Sequence, residues 1–446
     1  MQSKYFGTDG IRGVANTELT PGLAFRLGEA VVKFLGDAER PRFVIGRDTR
    51  RSGTMLQSAL IAGITSAGGD VLLAHMIPTP AVALLTRRMH ADGGIVISAS
   101  HNPPSHNGLK VFSRDGFKLP DDLESLIEIF LHSGERIDRP SGEGIGRVIH
   151  IDDATPRYIH HATSIFEPGA FAGLRVALDC AHGAAAVTTP RAFEDLGATV
   201  TAINTDSNGD DINVACGSTN LETLQELVRS GEFDLGIAHD GDADRTLAVD
   251  ANGEVVDGDQ IIAICAKYMQ ENGLLSGDVV VGTVMSNLGF EKAMDKLGIQ
   301  TVKTLVGDRY VLEQMQAMDA NLGGEQSGHV ILLDHNTTGD GLIVALMLAN
   351  IVAQTKTPLA ELATVMTKYP QVMENVAVSN KELLVTSKKI SDALAEAEER
   401  LGSEGRVLVR ASGTEKLVRV MAEAATIEAA QTEVDRFVEL VKEELG

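Results

Sequence analysis

The chain has 446 residues, with 39 Lys and Arg against 62 Asp and Glu, which leaves a formal charge of −23. Binding of a nucleic-acid backbone draws most of its affinity from counterion release at a broad basic surface, so this acid excess argues against DNA or RNA as a partner. An anionic small molecule stays open only if a few Arg and Lys gather at one place.

With 43% hydrophobic and 23% charged residues the composition is globular, and the length fits roughly three or four domains. The elements begin with Phe6-Gly7-Thr8-Asp9-Gly10-Ile11-Arg12-Gly13, rich in Gly and short of apolar residues, which predicts a structured loop and not a strand. Arg12 is there either an anion contact or an ordinary surface Arg. From Phe43-Val44-Ile45-Gly46 through a helical pattern over 56–67 to Gly68-Gly69-Asp70-Val71-Leu72, the pattern reads strand, helix, parallel strand, with Gly ending the helix. The same grammar returns over 176–200 and 279–302. A recurrence this wide exceeds the roughly 20 to 50 residues of a solenoid repeat and predicts three related α/β domains.

Within the first domain, Gly94-Ile95-Val96-Ile97 is a buried strand too apolar to alternate, and it runs into Ser98-Ala99-Ser100-His101-Asn102-Pro103. Ser98 and Ser100 then stand at a strand's carboxyl end, where open α/β sheets carry their sites. Either is a nucleophile candidate, and the alternative is a turn in which Ser and Asn satisfy local backbone groups. Neighbours on an extended chain point to opposite sides, so His101 cannot be assumed to be the base for Ser100. The polar stretch 138–143, or the segment just beyond it, predicts a domain boundary.

Further on, an apolar strand from Phe233 leads into His239-Asp240-Gly241-Asp242-Ala243-Asp244-Arg245. On an extended or looped chain Asp240, Asp242 and Asp244 share a side, and three converging carboxylates repel unless a cation sits between them. Hard oxygen donors select Mg²⁺, whose remaining positions commonly go to phosphate oxygens. A solvated acidic turn is the alternative. A calcium-binding EF-hand loop is excluded, because it requires Gly and Glu where this chain has Arg245 and Ala251. In Gly323-Gly324-Glu325-Gln326-Ser327-Gly328-His329, Glu325 and Ser327 suit sugar hydroxyls and His329 can move a proton near neutral pH, the alternative being an ordinary Gly-rich turn with a structural His. Tyr369-Pro370 reads as a linker, since the residue before Pro is pushed out of helical geometry. The remainder reads strand, helix (391–401), two strands (406–410 and 416–421) and a final helix, a small α+β domain. Its Arg410-Ala411-Ser412-Gly413-Thr414-Glu415, with Arg419 beyond, offers planar donor forks and a tight turn matched to phosphate; an ordinary hairpin loop, the alternative, would explain Ser and Gly but not the paired Arg.

Cys180, Cys216 and Cys265 are odd in number and widely spaced, which predicts free thiols in a reducing compartment and no thiolate metal site. The N-terminus shows no apolar core of a signal peptide, and the longest apolar stretch, 342–353, is shorter than the roughly 20 residues of a membrane helix. The expectation is a cytoplasmic protein with no membrane partner.

Taken together these segments resemble one family, the α-D-phosphohexomutases. FGTDGIRG at 6–13, ISASHNP at 97–103, DGDADR at 240–245, VGDRYV at 306–311, GGEQSGH at 323–329 and RASGTE at 410–415 occur in the family's order over the whole chain. FGTDGIRG and VGDRYV point to its phosphoglucosamine branch. The resemblance implies three related α/β domains with mixed sheets plus a smaller C-terminal α+β domain around a central cleft. It places a phosphoserine loop in 1–152, a metal loop in 153–254, a sugar-recognition loop in 255–368 and a phosphate-binding loop in 369–446.

It also implies that Ser100 is the phosphorylated nucleophile, with Ser98 structural, and that Asp240, Asp242 and Asp244 hold Mg²⁺ together with an oxygen on Ser100. Arg12, Lys110 and Arg245 would surround the transferring phosphoryl group, with His101 also in the catalytic set and Lys110 and His329 as proton movers. Glu325 and Ser327 would hold sugar hydroxyls; Arg410, Ser412, Gly413, Thr414 and Arg419 would hold the phosphate that is not transferred. The implied reaction interconverts glucosamine 6-phosphate and glucosamine 1-phosphate, with glucosamine 1,6-bisphosphate or a similar bisphosphate as intermediate and activator. A homodimer is compatible with the resemblance. A phosphomannose or phosphoglucose mutase, a metal-dependent sugar-phosphate phosphatase and a non-catalytic phosphosugar sensor are the alternatives. Two positions depart from the family pattern: Pro104-Ser105-His106 stands before Asn107-Gly108 where an acid or aromatic is common, and Lys416 stands where Pro is common.

Overall fold

Short apolar runs separated by turns build four sheets among the described residues, which are 5–7, 9–411 and 417–446 in a computed structural model of the chain. The first sheet holds β1 (Phe6–Gly7), β2 (Gly10–Val14), β3 (Arg42–Arg47), β4 (Asp70–Met76), β5 (Gly93–Ile97), β6 (His106–Ser113) and β7 (Val148–His150), in the order β1-β2-β6-β5-β3-β4-β7. From β5 through β3 and β4 to β7 the strands are parallel, and β6, β2 and β1 add antiparallel. Phe43, Ile45, Ile95 and Ile97 pack with Leu27, Val31, Leu60 and Ile64 of the helices Pro21–Leu35 and Arg51–Ser66. Each fully buried side chain of this size contributes about 1.5–3 kcal/mol relative to exposure.

The loop expected at 6–13 is instead two paired strands. Ile11 is buried while Arg12 points to the other face, the period-two pattern of a strand. Gly10 has φ +77°, and a Cβ there would lie 2.4 Å from the Leu109 carbonyl oxygen. Pairing with the β6 backbone makes this strand, so apolar content was the wrong signal to read.

The second sheet holds β8 (Arg175–Asp179), β9 (Thr199–Ile203), β10 (Leu235–His239), β11 (Thr246–Asp250) and β12 (Val255–Val256), ordered β12-β11-β10-β8-β9. The third holds β13 (Val279–Thr283), β14 (Gln300–Thr304), β15 (Leu322–Gly324) and β16 (Val330–Leu332), ordered β14-β13-β15-β16. Both are mixed. Each predicted strand–helix–strand unit yields a parallel pair: β3 with β4, β8 with β9, and β13 with β14. The apolar stretch from Leu342 lies in the helix Gly341–Thr355, buried along most of its length and capped by Asp340, which accepts from the Ile343 amide. Among the described residues no single helix is long and apolar enough to cross a membrane. The three cysteines are free and buried.

By packing, the chain divides into two units: residues up to Met285 with Ile299–Val365, and Ser286–Gly298 with Met366–Gly446. The helix Leu288–Leu297, which follows β13 in sequence, thus groups with the C-terminal unit. That unit holds β17 (Gln371–Ala377), β18 (Gly405–Ala411) and β19 (Leu417–Ala424), antiparallel in the order β17-β19-β18, together with the helices Lys388–Leu401 and Ile427–Leu445. Buried Glu423 pins the unit internally: it accepts from Arg406 Nε at 2.8 Å and from the Leu288 amide at 2.9 Å.

Candidate active site

The loop after β5 meets the turn that follows β10, since Ser100 of the one bonds Asp240 of the other. Ser100 is buried, at 1% exposure, and has φ +52°. A non-glycine residue in that region stores about 1–3 kcal/mol of strain, of a kind that clusters at functional sites. Its Oγ donates to Asp240 Oδ2 at 2.5 Å and lies 3.2 Å from His101 Nδ1. Whether His101 faces Ser100 depends on the backbone being extended, and the left-handed turn at Ser100 folds the two side chains together. Ser98 is spent on structure: its Oγ donates to Asp48 Oδ2 at 2.5 Å and accepts the Ser100 amide at 2.9 Å.

The aspartates lie on a turn between β10 and β11 in which Ala243 has φ +55°. One carboxylate oxygen from each of Asp240, Asp242 and Asp244 falls within 4.8 Å of the others, and all three residues are buried. Burial, then Asp244 and Asp242, push the Asp240 carboxyl well above its usual range. Asp242 Oδ2 accepts Thr79 Oγ1 at 2.5 Å and Lys110 Nζ at 2.8 Å, and Asp244 Oδ2 accepts Lys110 Nζ at 3.0 Å. The opposite oxygens, Asp242 Oδ1 and Asp244 Oδ1, are buried with no hydrogen-bond partner. Buried polar atoms are rarely left so. An all-oxygen set with two unsatisfied carboxylate oxygens fits a hard divalent cation.

The cations come from distant segments. Burial alone would lower the Lys110 ammonium, but Asp242, Asp244 and Asp9 carry it well above the usual lysine range. Arg12 bonds Asp9 and reaches Asn102 Oδ1 at 3.5 Å, while the Arg245 amide donates to Asp240 Oδ1 at 3.3 Å. His329 sits between Asp244 (3.8 Å from Nδ1) and Asp308 (3.5 Å from Nε2), and the Gly339 amide donates to Nε2. Burial opposes its charged form, yet the Asp244 contact raises its pKa. His101 goes the other way, pushed down to about 4 by burial, Arg245 and Arg12.

Sequence reasoning missed Asp9, Thr79, Lys118 and Asp308. Lys118 is ion-paired with both Asp9 and Asp308, which closes a run of alternating charges from Lys110 to His329. Asp9 and Asp308 stand inside FGTDGIRG and VGDRYV, where a carboxylate among glycines or beside Arg was legible. Thr79 and Lys118 carried no local signal.

In the loop after β15, Glu325 is half-buried and accepts the Gly307 amide at 3.1 Å, and Ser327 is exposed. Gly328, at φ +90°, brings this loop against β11: a Cβ would meet the Thr246 carbonyl oxygen at 2.3 Å. In the C-terminal unit Arg410 and Arg419 are direct cross-strand partners. Like charges placed so repel, and Arg419 Nε is buried without a partner, an arrangement that suits an anion. Ser412, Gly413 and Thr414 lie outside the described residues.

Four family models match the chain in order. They are Phosphoglucomutase/phosphomannomutase, alpha/beta/alpha domain I over residues 3–137, domain II over 156–253, domain III over 257–369, and the C-terminal domain over 373–440. The chain is 51% identical over 445 residues to the phosphoglucosamine mutases of Bacillus cereus (strain AH187) and Bacillus anthracis (strain CDC 684 / NRRL 3495), covering 99% of this chain and 99% of each relative. A phosphoglucomutase/phosphomannomutase family protein from Burkholderia thailandensis superposes with a TM-score of 0.82 at 24% identity, covering 100% of this chain and 98% of that one. Aspergillus fumigatus N-acetylphosphoglucosamine mutase, solved with GlcNAc-6P and magnesium, gives 0.70 at 17% identity over 100% and 97%. At those identities the two structures speak for the fold.

Proposed function

The chain belongs to the phosphoglucomutase/phosphomannomutase family, and from that premise we propose that it interconverts glucosamine 6-phosphate and glucosamine 1-phosphate through phosphorylated Ser100 and a bisphosphorylated sugar. The observation that carries this reading is Ser100 Oγ, 2.5 Å from Asp240 and buried among three carboxylates and the Lys110 ammonium. That setting suits phosphoryl transfer, which needs in-line positioning and charge neutralisation more than covalent novelty.

In the first half-reaction the bond from phosphorus to Ser100 Oγ breaks as one forms to a sugar hydroxyl, whose proton leaves. The second half reverses this with the other phosphate, after the bisphosphate has turned round, and a hexose bisphosphate such as glucosamine 1,6-bisphosphate also primes Ser100. Asp240, Asp242, Asp244 and an oxygen on Ser100 would hold Mg²⁺, which supplies charge neutralisation at the phosphoryl oxygens. Lys110 stays charged and, with Arg12 and Arg245, offsets the remaining negative charge. His101, neutral near pH 7 and 3.2 Å from Ser100 Oγ, can take or return a proton at that atom, with His329 beside Asp244 as a second proton carrier. Glu325 and Ser327 hold sugar hydroxyls, and Arg410, Ser412, Gly413, Thr414 and Arg419 hold the phosphate that is not moving.

Coupled assays on glucosamine, glucose and mannose phosphates test the substrate. Glucosamine 6-phosphate is expected to give the highest kcat/KM; a higher value on either other sugar replaces the substrate, and steady phosphate release without isomer replaces the reaction.

A further inference from the structure

Arg50 is fully buried, at 0% exposure. Its Nε donates to Asp48 Oδ2 at 2.9 Å, which provides its one ion pair among the described residues. The other donors go to main-chain carbonyls of a single loop: Nη2 to Ser100 at 2.9 Å and Asn102 at 2.7 Å, and Nη1 to His106 at 3.0 Å and to Pro103. Asp48 holds the same loop a second way. It accepts Ser98 Oγ, which in turn accepts the Ser100 amide at 2.9 Å. Both the N–H and the C=O of Ser100 thus trace back to one buried carboxylate–guanidinium pair.

Ser100 sits at φ +52°, a conformation that persists only where surroundings over-determine it. We propose that Asp48, Arg50 and Ser98 are positioning residues that hold the Ser100 backbone in this conformation, so that Oγ presents its phosphoryl group in line with the incoming sugar hydroxyl. The proposal rests on Ser100 being the phosphorylated nucleophile. It also explains why the residue is Arg: one planar guanidinium reaches five acceptors, whereas an ammonium has three donors at a single point.

The test compares Ser98→Ala, Arg50→Lys and Ser100→Ala with wild type, measuring kcat, KM, Tm and intact mass after incubation with a hexose bisphosphate. Rates are taken on whichever hexose phosphate the wild type turns over, so a wrong sugar leaves the test intact. Ser98→Ala is expected to lower kcat about tenfold to a hundredfold with KM within about threefold, since a small misplacement of a reacting group costs on that order. Arg50→Lys should lose more despite keeping the charge, and both should acquire phosphate on Ser100 more slowly. Near-wild-type kcat in Arg50→Lys, or changes in Tm alone in both variants, would overturn the proposal and leave a general structural support. If Arg50→Lys does not fold, Ser98→Ala decides by the same criteria. Turnover in Ser100→Ala would instead sink the nucleophile assignment, a separate outcome.

Discussion

The loop that carries Ser100 and the turn that carries Asp240, Asp242 and Asp244 meet at one 2.5 Å hydrogen bond, yet the fold treats their polar groups in opposite ways. Around the loop, the carbonyls of Ser100, Asn102, Pro103 and His106 all receive donors from buried Arg50, and Asn213 adds a second donor to two of them. In the turn, Asp242 Oδ1 and Asp244 Oδ1 are left buried and unsatisfied. Full satisfaction fixes a geometry, and a buried deficit marks where a ligand belongs. The Ser100 backbone is fully engaged, whereas the aspartate turn keeps oxygens in reserve for a ligand.

The comparison breaks hardest at Ser100. Ser100→Ala should lower kcat by at least about a thousandfold and lack the phosphate increment that intact mass is expected to show in the wild type. On the turn, Asp242→Asn should lower kcat/KM by about a hundredfold and lack the rise in Tm with Mg²⁺ that is expected of the wild type, because a ligand stabilises only the state that binds it. A metal-induced Tm rise that survives the substitution would remove the triad from the metal site.

Thr79→Ala probes the boundary between the two regimes, since it removes one of the donors that hold Asp242 Oδ2. A hydrogen bond to a charged acceptor is worth about 1.5–3 kcal/mol, so a loss of roughly tenfold or more in kcat/KM is expected, smaller than for Asp242→Asn. The smallest effect concerns pH. His239 is fully buried beneath the turn and held neutral, its pKa pushed down to about 4 by burial. The unfolded chain then binds the extra proton between about pH 4 and 6.5, so stability should rise with pH across that window. Denaturant midpoints measured from pH 4 to 7 should show this slope, and His239→Gln should flatten it.

Much of the fold was legible because its signals are local. Each predicted strand–helix–strand unit became a parallel pair, since a buried strand, a helix stop and a second apolar run are written in neighbouring residues. The N-terminal strand escaped because its Gly-rich segment is held by backbone pairing to β6, about a hundred residues away, which local composition does not report. The approach of His101 to Ser100 was not legible for a related reason: the left-handed φ at Ser100 is imposed from outside the segment. Arg50 and Lys118 gave no signal at all, because their meaning lies wholly in what they touch.

The sequence by itself determined which chemistry is available: a hydroxyl at a strand end, carboxylates spaced by small residues, arginines beside a tight turn, and an acid excess that argues against a polyanionic partner. Only the tertiary structure decided which of these groups meet. Ser100 and Asp240 are 140 residues apart, and Lys110 and Asp244 are 134 apart. Contacts of that range are set by how sheets and helices bury their apolar faces, and the placement of each charged group, with the atoms left unsatisfied, follows from that packing.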